Sequence, residues 1–140
     1  MSVPENKRKQ GRLEVCVKAH DLCVYTLQIT KNKKVFTAEY QEVLTDQIIA
    51  AALEIHQNVW MANNVHVASA ADYELRKKLQ TLAIVKCISL LSMIDIARSI
   101  FHLSGKRVKF WGEKVIEVKK YIRAWRSSDA QRYKNFWDVG

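Results

Sequence analysis

The sequence predicts an all-α protein, an antiparallel up-down-up-down four-helix bundle. Three observations lead there. Four glycines and one proline in 140 residues leave almost no breakers inside the chain. Apolar residues recur at three- and four-residue steps through every long segment, the spacing of one helix face. The stretches without that period are short, so successive helices should be antiparallel neighbours. A chain of this length forms one domain and buries a real core without staples.

Residues 1–11 hold Pro4, Gly11 and the cluster Lys7, Arg8, Lys9, with little to bury, and read as a flexible basic arm. The bundle is expected over 12–127. Its first helix, 13–31, places Leu13, Cys16/Val17, His20, Val24, Leu27 and Thr30/Lys31 on the inner side. The second, 38–64, starts at Thr37 as N-cap, with Glu39 in the first turn complementing the helix dipole. Leu44, Ile48, Ala51/Ala52, Ile55, Val59 and Ala62 form its inner stripe.

The third helix, 70–103, organises the rest. Leu79, Ala83, Cys87, Leu90, Ile94, Ala97 and Phe101 follow the helical period, and Ser69-Ala70-Ala71-Asp72 resembles a capping box at its start. Leu82, Val85, Ile88, Leu91 and Ile96 cover much of the remaining surface, so this helix should touch its own bundle on one side and a second copy of the chain on another. Lys86, Asp95 and Arg98 interrupt the run, and no uncharged segment reaches the ~18 residues of a membrane span. A soluble core helix is the expectation. Ser104-Gly105-Lys106 reads as a tight turn with Gly past the helix end. The fourth helix, 107–126, repeats Val108, Trp111, Val115, Val118, Ile122 and Trp125, and Ser127-Ser128-Asp129 marks its end. A polar tail, 128–140, leaves Phe136 and Trp137 free to serve a partner.

The net charge is +9, strong for this size, and it is localised. The first twelve residues contribute +3 through Lys7, Arg8, Lys9 and Arg12 against Glu5. Segment 104–126 contributes +6, with Lys106, Arg107, Lys109, Lys119, Lys120, Arg123 and Arg126 among its cations. On a helical wheel Lys109, Lys119, Lys120, Arg123 and Arg126 fall in one arc beside the apolar stripe of the fourth helix. A coherent basic strip on a rigid helix is the footprint of phosphate-backbone binding, which rests on charge and counterion release. The plainer reading is that these side chains solvate an exposed face. A third uses both signs: the second helix has Glu39, Glu42, Asp46 and Glu54 and no Lys or Arg, so it could meet the basic fourth helix of a neighbouring copy in a closing ring.

No catalytic signature is visible. There is no Ser-His-Asp arrangement and no phosphate loop, since Gly105 lacks both the upstream Gly and a preceding strand. Cys16, His20 and Cys23 share a helix face but lack a fourth ligand, and core packing explains them better than a metal does. Neither a metal nor another cofactor is expected. Cys16 and Cys23, seven residues and roughly 10 Å apart on a helix, are too distant for a disulfide and should be free thiols. An odd cysteine count and a polar N-terminus fit a cytoplasmic protein.

The stretches VKAHDLCVYTLQIT, LTDQIIAAALEI with Ala62-Asn63-Asn64, and FWGEKVIEVKKYIRAW followed by SSDAQRY together resemble the accessory variability determinant proteins of diversity-generating retroelements. That family sits in a wider group of four-helix bundles that includes the ribosomal-RNA intervening-sequence proteins. The likeness covers about Arg12 to Tyr133 and lies in core and turn residues. It implies a homopentameric barrel with a positive surface that binds a reverse transcriptase and its template RNA/cDNA, supporting mutagenic retrohoming. It implies no catalytic residues. A structural oligomer of the intervening-sequence type, whose charges serve subunit contacts, is the alternative.

Overall fold

The computed structural model describes residues 5–137, with side chains from residue 11 onward. Helix α1 spans Glu5–Thr30, α2 Asp46–Asn63, α3 Ala70–Phe101, α4 Gly105–Arg132 and the short α5 Lys134–Trp137. A 3-10 turn at Ala38–Tyr40 and a π-helical turn at Gln41–Thr45 lead into α2. The chain is a helical bundle in which α1 packs on α2 and α4, and α3 packs on the same two. Its core runs through Leu22, Ile48, Ile55, Leu90, Trp111, Val115 and Ile122. Phe36, fully buried, plugs one end, with its ring 4.9 Å from that of Phe101 and 6.2 Å from that of Trp111.

Apart from buried Thr30 and half-buried Cys16, the inner face of α1 is not the predicted one. Val15, Ala19, Leu22, Cys23, Thr26 and Thr30 are buried, whereas Leu13, Val17, His20, Val24 and Leu27 are exposed. Two apolar stripes share this helix, and periodicity alone does not say which one faces inward. Thr26 and Thr30 hide their polarity locally: each hydroxyl donates to the carbonyl four residues back, at 2.8 Å. Thr26 Oγ1 also accepts 3.0 Å from the indole N–H of buried Trp111, which ties α1 to α4. The helix begins at Glu5, so the arm expected over 1–11 is helical from that residue on.

The expected second helix is divided. Thr37 makes no side-chain cap, and the chain passes through the 3-10 and π turns before settling into α2. The π turn buries the adjacent pair Leu44 and Thr45. Gln41 stitches this entry together, accepting from Lys33 Nζ at 2.6 Å and donating to Asp46 at 2.7 Å. From Leu44 on, the stripe through Ile48, Ala51/Ala52, Ile55, Val59 and Ala62 is buried as expected.

Ser69 caps α3 by accepting from the Asp72 N–H at 3.2 Å, and Asp72 reaches back to the Ala68 N–H at 3.0 Å. The bond from the Ala68 N–H, with further ones from Ser69, holds the Asp72 carboxyl below its usual range. At the far end His102, not Gly105, takes the left-handed conformation, with φ 55°. Gly105 instead opens α4, and Ser104 caps it by accepting from the Arg107 N–H at 3.1 Å. Helix α4 continues well past the expected stop at Ser127, because Asp129 extends the buried stripe by one more turn.

Helix α3 has an 18-residue window of mean hydropathy 1.7 and is long and apolar enough to cross a membrane; the expectation that its charges exclude this does not hold on composition. In the fold Ala83, Cys87, Leu90, Ile94 and Ala97 face the other helices, while Leu82, Val85, Ile88 and Ile96 are exposed.

Candidate nucleic-acid interface

The basic side chains are set out by α4, whose buried stripe Trp111, Val115, Val118, Ile122, Trp125 fixes its rotation against α1 and α3. With that stripe inward, Lys109, Lys120 and Arg123 are exposed and Lys119 and Arg126 are half-buried along the side facing α3. Lys119 and Arg123 lie close enough to Cys87 of α3 to act on its thiol, and Arg126 Nη1 donates to Thr81 Oγ1 of α3 at 3.3 Å. Lys119, Arg123 and Arg126 thus border the α3/α4 groove, while Lys109 and Lys120 stand exposed on the outer side of α4. None of the five has a carboxylate partner among the described residues. Glu117, by contrast, is paired with Lys18 at 2.9 Å on the α1 side, and Lys114 lies over the Phe110 ring at 4.8 Å.

Lys106 and Arg107 are exposed in the first turn of α4, a turn without any acidic residue. Cations at a helix N-terminus oppose the dipole, at about 0.3–1 kcal/mol each. No ion pair offsets them among the described residues. They stand at the opposite end of α4, roughly 30 Å from Arg126 at ~1.5 Å per residue, and Arg107 lies on the α1 side, close enough to Tyr25 to act on its hydroxyl.

Arg12 stands apart. It is half-buried, its Nε is enclosed without a partner, and it lies within electrostatic reach of Arg76 and Asp129. The side chains of Lys7, Arg8 and Lys9 lie outside the described residues.

Beneath Arg126 is a cluster that the sequence reading did not identify. Arg76 and Asp129, 2% and 3% exposed, form an ion pair with Nε 2.9 Å from Oδ2, and Gln80 donates to the same oxygen at 2.8 Å. The guanidinium carbon lies 5.2 Å from the Trp125 ring centre and 5.8 Å from that of Tyr133. Burial pushes the Asp129 carboxyl up and the Arg76 guanidinium down, each partner opposing the other's shift. The cue was the continuation of the α4 stripe to Asp129, four residues beyond Trp125.

The cysteines are free, with burial raising Cys16 and Cys23 and pushing Cys87 up to about 12, so these thiols are poor nucleophiles and poor ligands at neutral pH. Among the described residues no three His, Cys, Asp or Glu side chains form a metal cage. On the α1/α2 face, exposed His20 and half-buried His56 meet edge to face at 5.9 Å, and His56 stacks on Trp60 at 6.2 Å. Leu13, Val17, Val24, Leu27 and Leu53 leave the same face apolar, with Val17 and Trp60 each 57% exposed. Comparison with protein-family models, with curated proteins and with solved structures finds no match.

Proposed function

We propose that this chain is a non-catalytic accessory protein of a diversity-generating retroelement, binding the element's reverse transcriptase and its template RNA or cDNA through the α4 face. The observation that carries the reading is the set of α4 cations Lys109, Lys119, Lys120, Arg123 and Arg126, without carboxylate partners among the described residues, with Lys106 and Arg107 set against the helix dipole at its start. A protein that gained nothing from that charge would be more stable without it. The resemblance of the core and turn stretches supplies the retroelement context and the pentameric ring. The apolar faces left open on α1 and α3 supply surface for copies and partners to bury.

The test is binding of template RNA and reverse transcriptase as a function of salt. For about six phosphate contacts on a single strand, affinity falls roughly 300-fold over a fourfold rise in salt. A chain that captures neither partner at low salt refutes the reading. The structural-oligomer alternative draws on exposed Glu39 and Glu42, which also have no cationic partner among the described residues. Lys120→Glu with Arg123→Glu separates the two. Lost RNA binding with an unchanged mass by light scattering supports the accessory protein; a broken oligomer supports the alternative.

A further inference from the structure

At the Arg126 end of the basic row, a cavity of about 290 Å³ opens between α3 and α4. Tyr73, Lys77, Arg126, Ser127 and Trp137 line it, so two cations and two aromatic rings converge with a hydroxyl, and no carboxylate lines it among the described residues. Of the acids within electrostatic reach of Tyr73, Asp129 is held underneath by Arg76 and Glu74 is exposed on α3. Trp137 comes from α5, and its N–H donates 2.8 Å to the Ala130 carbonyl, which fixes the indole as a wall while 44% of the residue stays exposed. Lys77 is exposed on α3 and has no carboxylate partner among the described residues.

Two cations and a half-open, hydrogen-bonded indole in one lining match the two parts of a nucleotide, its phosphate and its base. Resting on the nucleic-acid reading above, we infer that this cavity seats one unpaired nucleotide of a single strand, its phosphate on Lys77 and Arg126 and its base against Trp137. The row through Arg123 and Lys119 then carries the neighbouring phosphates. A duplex keeps its bases stacked inside and cannot offer one to the indole, so the site confers preference for single-stranded over double-stranded nucleic acid.

The experiment measures binding of a short single-stranded oligoribonucleotide and of its duplex to the full chain by fluorescence anisotropy, for the wild type, Trp137→Ala, Trp137→Phe and Lys77→Ala. Stacking on one aromatic ring predicts a fall of about five- to a hundred-fold in single-strand affinity for Trp137→Ala, with duplex affinity unchanged and most of the loss restored in Trp137→Phe. Lys77→Ala lowers single-strand affinity and flattens its salt dependence. Wild-type binding that is salt-sensitive but indifferent to Trp137 and Lys77 overturns the pocket and leaves the broader function standing. Absence of any wild-type binding overturns both. Inorganic phosphate competing as well as a nucleoside monophosphate reduces the cavity to a bare anion site and overturns the base contact. Circular dichroism controls for folding, which the exposed Trp137 should not disturb.

Discussion

Asp129→Ala removes the carboxylate paired, alone among the described residues, with a guanidinium that is 2% exposed. Arg76 is left charged and enclosed, since its Nη2 has no hydrogen-bond partner even in the native protein. Gln80 loses its acceptor at the same stroke. Breaking a buried pair in this way costs about 3–5 kcal/mol. With a urea slope of about 2 kcal/mol per molar, the unfolding midpoint should drop by roughly 2 M. The double variant Arg76→Met, Asp129→Leu removes both charges, keeps apolar bulk against Trp125 and Tyr133, and should unfold within about 1 kcal/mol of wild type or above it. Urea titration by far-UV circular dichroism at one fixed protein concentration measures both, because self-association would otherwise shift the midpoint. If the single variant loses under about 1 kcal/mol, or the double falls as far as the single, desolvated charge is not what governs this site.

Thr26→Val keeps the shape at the α1/α4 contact but orphans the buried Trp111 N–H, and calorimetry should show a loss of about 1–3 kcal/mol. Burial, then the neighbouring His20, hold His56 below its ordinary 6.5, so the unfolded chain takes up this proton first; stability should decline as pH falls from about 6.5 toward the folded value, and His56→Gln should flatten that stretch of a stability-versus-pH curve. Cys87, buried and pushed up to about 12, should resist maleimide in the native protein at mildly alkaline pH and react only after unfolding; rapid native labelling seen by mass spectrometry would contradict the packing of α3.

The third and fourth helices were legible in sequence because their inner stripes are long and keep the helical period throughout. Cys87, Leu90, Ile94 and Ala97, and Trp111 to Trp125, take the inward places their spacing demands. The capping pair Ser69 and Asp72 was legible for the same reason, being a local pattern with a local hydrogen bond. The basic row also followed from the wheel, since fixing one stripe of α4 fixes every other residue on it.

What the sequence by itself determined was therefore the helical character, the phase of each strongly amphipathic helix and the charge carried beside it. Tertiary structure alone decided which of two apolar stripes α1 buries, because the choice depends on the shapes of α2 and α4 and on threonines that bury once their hydroxyls bond backward. It also paired Arg76 with Asp129, and brought Lys77, Arg126 and Trp137 around one cavity. Those groups lie far apart along the chain, and their meeting is set by how α3, α4 and α5 pack, which no local period encodes.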